Sequence, residues 1–155
     1  MSGPPVLSVF IGGVPIPAPR PRAYRGAAGR AGVYLPQRYT EWKRSAALIL
    51  RARWGHHEPI QLAVSTVVEV VLPRPQRRPR SGLGRLYWHP TEDYPCPVGG
   101  RHGDGDNYIK AAWDALQDAR VIRDDSQVVD WNGTKYQGTN PGLHITLSLV
   151  HPEAE

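Results

Sequence analysis

Asp104, Asp106, Lys110 and Asp125 are the residues in this sequence whose types and spacing could do chemistry. Two carboxylates separated by one residue, a lysine a helical turn later and a second acidic pair at Asp124 and Asp125 make an oxygen ligand set with a cation beside it. Hard divalent ions such as Mg²⁺ take oxygen ligands, keep several waters and are anchored by one or two carboxylates plus substrate phosphates. Phosphodiester cleavage needs an activated water and stabilisation of the charge that builds on the phosphoryl oxygens, and carboxylate-held ions supply both. The set therefore points to Mg²⁺-dependent nuclease chemistry. If the backbone around Gly105 is extended, Asp104 and Asp106 aim at one ion, because alternate side chains of extended chain point the same way. Asp125 then arrives from a turn beyond the next helix, and Lys110 could hold the attacking water or offset transition-state charge.

A plainer reading stands beside this one. Asp106, Lys110 and Asp114 sit four apart, so Lys110 can pair with a carboxylate on either side in a helix salt-bridge ladder. Asp106 could serve as the helix N-cap, which leaves Asp104 without a task, since one helix start needs one cap. A calcium loop of the EF-hand type is a poor match, because Tyr108 and Ile109 stand where an oxygen ligand and a glycine are needed. No Gly-x-Ser-x-Gly elbow supports a serine hydrolase. Zinc is disfavoured by a single cysteine, Cys96, beside His89 and His102.

The elements that must position these residues can be read around them. Ile109, Ala112, Trp113 and Leu116 follow helical spacing and predict a helix over 107–117. Upstream, 6–14 reads as a first strand weakened by Gly12 and Gly13, and 41–53 as an amphipathic helix capped by Thr40 and stopped by Gly55. The β-branched run 60–72 predicts a buried strand. Downstream, 127–137 reads as a strand in which Asn132-Gly133 marks either a hairpin turn or a bulge. Leu143, Ile145, Leu147 and Leu149 alternate with polar residues in a half-buried strand. The order implies an α+β single domain over 1–155, a small mixed sheet with two main helices packed on it. Two long basic loops, 15–33 and 74–102, are expected to be irregular, being rich in proline, glycine and arginine. Arg20 and Arg22 in the first offer forked donors to DNA phosphates, and the arginines and aromatics of the second could follow a nucleic-acid backbone. Either loop could equally be a basic connector.

Composition agrees with a DNA-handling protein. The 155 residues carry 19 Lys+Arg against 14 Asp+Glu, a formal charge of +5, with the acids crowded into 104–130. That asymmetry suits a broad phosphate grip around a small acidic pocket. One cysteine excludes an internal disulfide framework and points to a reducing compartment. No run approaches the ~18 apolar residues of a membrane helix, and the first residues lack the positive start of a secretory signal. The expected location is cytoplasmic, with no membrane partner.

The blocks Asp104-Gly105-Asp106-Asn107, Lys110-Ala111-Ala112, Asp114-Ala115-Leu116, Val121 and Asp124-Asp125-Ser126-Gln127-Val128-Val129, with Lys135 beyond, resemble the signature of the RusA family of Holliday junction resolvases. Gly13-Val14-Pro15 and Arg20-Pro21-Arg22 resemble the family's first strand and basic loop more loosely. The resemblance implies a homodimeric, Mg²⁺-dependent endonuclease, with Mn²⁺ able to substitute, that cuts four-way DNA junctions by paired nicks. It implies Asp104, Asp106 and Asp125 as metal ligands, Lys110 as the catalytic lysine, Asn107 beside the metal and in contact with DNA, and Lys135 facing DNA. It also implies that Asp124 orients its turn and that Asp114 supports the helix. Gly105 departs from the family's usual apolar residue, and Arg101-His102-Gly103 replaces the arginines expected before the first acid. Two alternatives remain open from sequence: a non-catalytic basic DNA-binding module, and a Mg²⁺ nuclease acting on forks or flaps.

Overall fold

The computed structural model describes residues 2–20, 22–25, 29, 31–97 and 103–153, the side chains of 2, 22–25 and 31–34 excepted. In chain order the elements are β1 (Ser2–Gly12), β2 (Arg22–Arg25), β3 (Ala31–Tyr34), α1 (Gln37–Trp54), β4 (Val64–Pro73), α2 (Leu83–Leu86) and β5 (Tyr94–Pro95). They continue with α3 (Gly105–Asp118), a 3₁₀ turn (Asp125–Gln127), β6 (Val128–Gly138) and β7 (Gly142–Val150). Five strands form one sheet in the order β1-β7-β4-β6-β5, and β2 pairs with β3 in a separate antiparallel ribbon. Within the main sheet only β4 and β6 run parallel. Parallel neighbours need a crossover, and here it carries α3.

Strand alternation decides where the helices lie. Leu7, Val9 and Ile11 of β1, Leu143, Ile145 and Leu147 of β7 and Val68, Val70 and Leu72 of β4 are buried in one cluster. The same cluster takes Ala46 and Leu50 from α1 and Tyr108, Ala112, Ala115 and Leu116 from α3. Both main helices therefore cover one face of a mixed sheet, the α+β arrangement that the element order predicts. On the opposite face Val6, Phe10 and Val67 are exposed, and Ser8, His144 and Glu69 are joined across three strands by hydrogen bonds of 2.8 and 3.0 Å.

Several boundaries differ from the sequence reading, each for a packing reason. α1 begins at Gln37, not near Glu41, because Tyr39 is drawn into its first turn by burial against Ala18 and Ala111. Thr40 is consequently a residue inside the helix, its hydroxyl donating back to the Pro36 carbonyl at 3.3 Å. Gly55 does end the helix, with φ 72° and its N–H bonded to the Arg51 carbonyl. The stretch 15–33, expected to be irregular, contains β2 and enters β3, and 74–102 holds α2 and β5. Asn132-Gly133 makes no turn: β6 runs through it, with the irregular register near Val129, since Val64 pairs with Val128 and Ser65 with Asp130. Gly133 instead provides room for α3, whose Ile109 occupies the space of a would-be side chain.

No helix among the described residues is long and apolar enough to cross a membrane.

Candidate active site

The N-terminal end of α3 is clamped by the proline strip that follows β1. Gly103 has φ 86°, a conformation that L side chains resist, and a Cβ there would lie 2.7 Å from Cγ of Pro17. One residue on from Pro17, the Ala18 N–H donates to the Asn107 carbonyl at 2.9 Å. Tyr108, with its ring fully buried, roots the same turn in the core. Glycine at 103 and backbone pairing at 107 thus fix the direction in which the two following acids leave the chain.

Asp104 is the N-cap residue, with extended backbone (φ −86°, ψ 153°), but its side chain does not cap the helix. Among the described residues its exposed carboxylate has neither a hydrogen bond nor an ion pair. Asp106 already lies in the first helical turn, where its Oδ1 accepts the Asn107 N–H at 2.9 Å, close to the positive end of the helix dipole. The expectation of extended backbone through Gly105 is therefore corrected: the chain is extended at Asp104 and helical from Gly105, because the apolar face headed by Tyr108 and Ile109 extends the helix to that point.

One turn further on, Lys110 points its ammonium at two carboxylates. Its Nζ donates to Oδ2 of Asp125 and lies 3.2 Å from Oδ1 of Asp114. Of the two ladder partners expected at four-residue spacing, only Asp114 is used. The hydrogen bond to Asp125 is the main cause that holds the Lys110 pKa above the usual lysine value; burial opposes it and Asp114 adds to it. Asp125 reaches this position because the turn after α3 is closely built. Its N–H donates to Oε1 of Gln117 at 3.1 Å. Asp124 caps the turn, its Oδ1 accepting the Ser126 N–H at 2.9 Å, while Oε1 of Gln127 accepts the Asp124 N–H at 3.1 Å. The amide of Gln127 then donates to the carbonyls of Ile60 and Leu62 at 2.8 and 3.0 Å, which ties the turn to the start of β4.

The other oxygen of Asp114 accepts the Tyr39 hydroxyl at 2.5 Å. Neither Tyr39 nor the glutamines 117 and 127 was singled out from sequence as a site residue. Tyr39 is 75 residues from its partner and follows no motif, so only the packing of α1 on α3 reveals it.

The remaining candidates are more scattered. Arg20 is exposed at the end of the proline strip. Arg22 belongs to β2, but its side chain is outside the described residues, as are Arg101 and His102. Asn107 is placed by its backbone, as above. Lys135 is half-buried on the helix-bearing face of β6, two residues beyond Gly133, and its charge partly offsets the burial that pushes the Cys96 thiol pKa up.

In donor chemistry the acids suit a hard cation: Asp104 and Asp106 present carboxylate oxygens that no cationic side chain among the described residues takes up. As placed, no three Asp, Glu, His or Cys side chains among the described residues form a cluster around one point. Asp125 is occupied by Lys110, so holding an ion there requires the ammonium to give way.

The family model for endodeoxyribonuclease RusA matches residues 12–148, which include every element from the end of β1 to most of β7. The chain belongs to the RusA family. It is an endodeoxyribonuclease of the Holliday junction resolvase type, and RusA enzymes act on branched DNA with a divalent metal. No curated protein matches the chain.

Proposed function

We propose that this RusA-family chain is a Mg²⁺-dependent resolvase that acts as a homodimer in the cytoplasm and cuts four-way junctions by paired symmetric nicks. The observation that carries the reading is the Lys110 ammonium, shared between Asp114 and Asp125 one turn from Asp106. A cation so placed at the edge of a carboxylate group is what phosphoryl chemistry uses to offset developing charge. Asp104, Asp106 and Asp125 would hold the metal, with Mn²⁺ able to replace Mg²⁺. When bound, such an ion lowers the pKa of water and stabilises charge on the phosphoryl oxygens. Lys110 would then turn from Asp125 toward the scissile phosphate and donate to an oxygen that gains charge. Asn107 would lie beside the metal, and Arg20, Arg22 and Lys135 would contact DNA. A junction with two-fold symmetry, cut on opposing strands, is matched by two chains related by a two-fold axis.

The test compares nicking of a four-way junction, a fork, a flap and a linear duplex by one preparation, with Mg²⁺ and after chelation. Paired nicks on the junction, lost on chelation, are expected. Asp104→Asn and Asp125→Asn should retain junction binding and lose nicking, and Lys110→Ala should cut slowly while remaining folded. Full cleavage by either aspartate variant would remove these residues from the metal site. Preference for a fork or flap would move the substrate assignment while leaving the chemistry.

A further inference from the structure

The seam between α1 and α3 carries a polar chain that ends on the proposed catalytic lysine. The Tyr39 hydroxyl donates to one oxygen of Asp114 at 2.5 Å, the other oxygen lies 3.2 Å from the Lys110 ammonium, and that ammonium donates to Asp125. Four residues along both helices the seam is closed a second time, by Lys43 and Asp118 at 3.3 Å.

Tyr39 is built as a fixed point. It is 2% exposed, packed with Ala18 and Ala111, stacked on Trp42 at 6.5 Å between ring centroids, and has the Lys43 ammonium 5.7 Å from its own ring centroid. Burial, and then the bond to Asp114, hold its hydroxyl far above the ordinary phenol range, so it remains a donor at any working pH. Asp114 is held from one side by this donor and has its second oxygen left for Lys110.

We infer that Tyr39 is a positioning residue for Lys110: through Asp114 it maintains a second station for the ammonium, away from Asp125. The inference rests on the catalytic assignment of Lys110 given above. Its physical basis is competition. While the ammonium sits wholly on Asp125 it opposes a divalent ion at the same carboxylate, since like charges repel. A carboxylate pinned a short distance away lets Lys110 withdraw from Asp125 and still remain in reach of the substrate. Without the Tyr39 hydroxyl, Asp114 is free to turn, and the station is lost.

The experiment is a double-mutant cycle of Tyr39→Phe and Asp114→Asn, read by single-turnover junction cleavage against Mg²⁺ concentration. Tyr39→Phe keeps the ring and removes one donor. It should lower the cleavage rate roughly tenfold, the size expected when a hydrogen bond to a charged group is lost. It should also raise the Mg²⁺ concentration needed for half-maximal rate, with junction binding unchanged. In the Asp114→Asn background the same change should do nothing further. An unchanged rate, a defect confined to junction binding, or additive losses in the double variant would each overturn the inference. A second measurement does not depend on cleavage. The chain has only three lysines, at 43, 110 and 135, so nitrogen-15 relaxation of the Lys110 ammonium can be followed directly, with Lys110→Arg for assignment. In an Asp125→Ala background, where Asp114 is the carboxylate left to the ammonium, a Lys110 ammonium that is ordered with Tyr39 and becomes mobile on Tyr39→Phe supports the inference even if the parent proves not to cut junctions. Equal order in both proteins of that background overturns it, whatever the activity.

Discussion

A Cβ added to Gly133 would lie 2.7 Å from Cδ1 and 3.0 Å from Cγ1 of Ile109, so α3 rests on β6 at a strand position that has no side chain. Ile109 lies one residue before Lys110, and the depth at which α3 sits on the sheet sets the height of the ammonium. Gly133→Ala should push Ile109 off its seat and destabilise the fold by about 1 kcal/mol, the low end of overpacking, because the mobile end of the Ile109 side chain takes the closest contact and the loss of glycine's freedom in the unfolded chain offsets part of the cost. Thermal unfolding measures this. The companion change Ile109→Val, which makes room, should recover part of the loss when combined with Gly133→Ala; a Gly133→Ala variant as stable as its parent would show that the helix moves without cost.

The end of α3 contains a residue in an unfavourable conformation. The Arg120 N–H donates to the Gln117 carbonyl and the Val121 N–H to the Leu116 carbonyl, both at 3.0 Å, the paired bonds of a Schellman C-cap. The motif places Arg120 at φ 57°, where glycine is the common choice and an L side chain costs about 1 kcal/mol. Arg120→Gly should therefore raise the melting temperature by a few degrees, the relief being partly offset by the greater freedom of glycine in the unfolded chain. A lowered melting temperature would mean that the exposed arginine makes a contribution its backbone does not reveal.

What the sequence discloses here depends on how local the cause is. The strand Gly142–Val150 was legible because Leu143, Ile145 and Leu147 each bury on the same face, and alternation is a property of neighbours in the chain. The apolar face of α3 was legible for the same reason. Its first turn was not, because Gly105 is a poor helix former and is drawn in by the packing of residues after it. Asn132-Gly133 has the local chemistry of a turn, yet it lies within a continuous strand, because the missing side chain is needed by Ile109 from another element. The strands β2 and β3 are hidden by arginine and glycine in a region that reads as loop. In the candidate site, the acids and Lys110 stood out by type and spacing. The side chains that hold them did not: Gln117 and Gln127 serve through amide geometry, and Tyr39 lies on a different helix, 75 residues from Asp114.

Acid should expose the contribution of the turn that presents Asp125. The Ser126 hydrogen bonds, above all that of its side chain, hold the Asp124 carboxyl below the usual carboxylate range, with Lys110 adding a little. For a carboxylate depressed in the folded state, the stabilisation is complete above the unfolded pKa and is lost as pH falls through the folded one. Asp124→Ala should thus melt below the parent at neutral pH, with a gap that is constant down to roughly pH 5 and narrows below about pH 4, near the unfolded value for aspartate. Melting temperatures of both proteins across that range decide it. A gap that persists undiminished at about pH 2, well below the unfolded value, would assign the effect to something other than the charged cap.

DNA contacts need not be confined to the proline strip and the loops. Lys43, Arg44, Leu48 and Arg51 of α1 border a groove with Asp118 and Ala119 at the end of α3, on the helix side of the molecule. Lys43 is neutralised by Asp118, but the guanidinium groups of Arg44 and Arg51 have no ion-pair partner among the described residues. Seven residues apart, they lie two turns along one helix face, about 10 Å from each other. An arm of DNA leaving the carboxylate site along this seam would meet both. Phosphate contacts release counterions, so each one lost should flatten the dependence of log affinity on log salt by about one unit. Arg44→Ala with Arg51→Ala should weaken junction binding regardless of sequence and reduce that slope by roughly two, while the rate of the bound complex at saturating protein stays as in the parent. Weaker binding with an unchanged slope would locate the loss in shape rather than charge, and an unchanged affinity would send the DNA arm along another face.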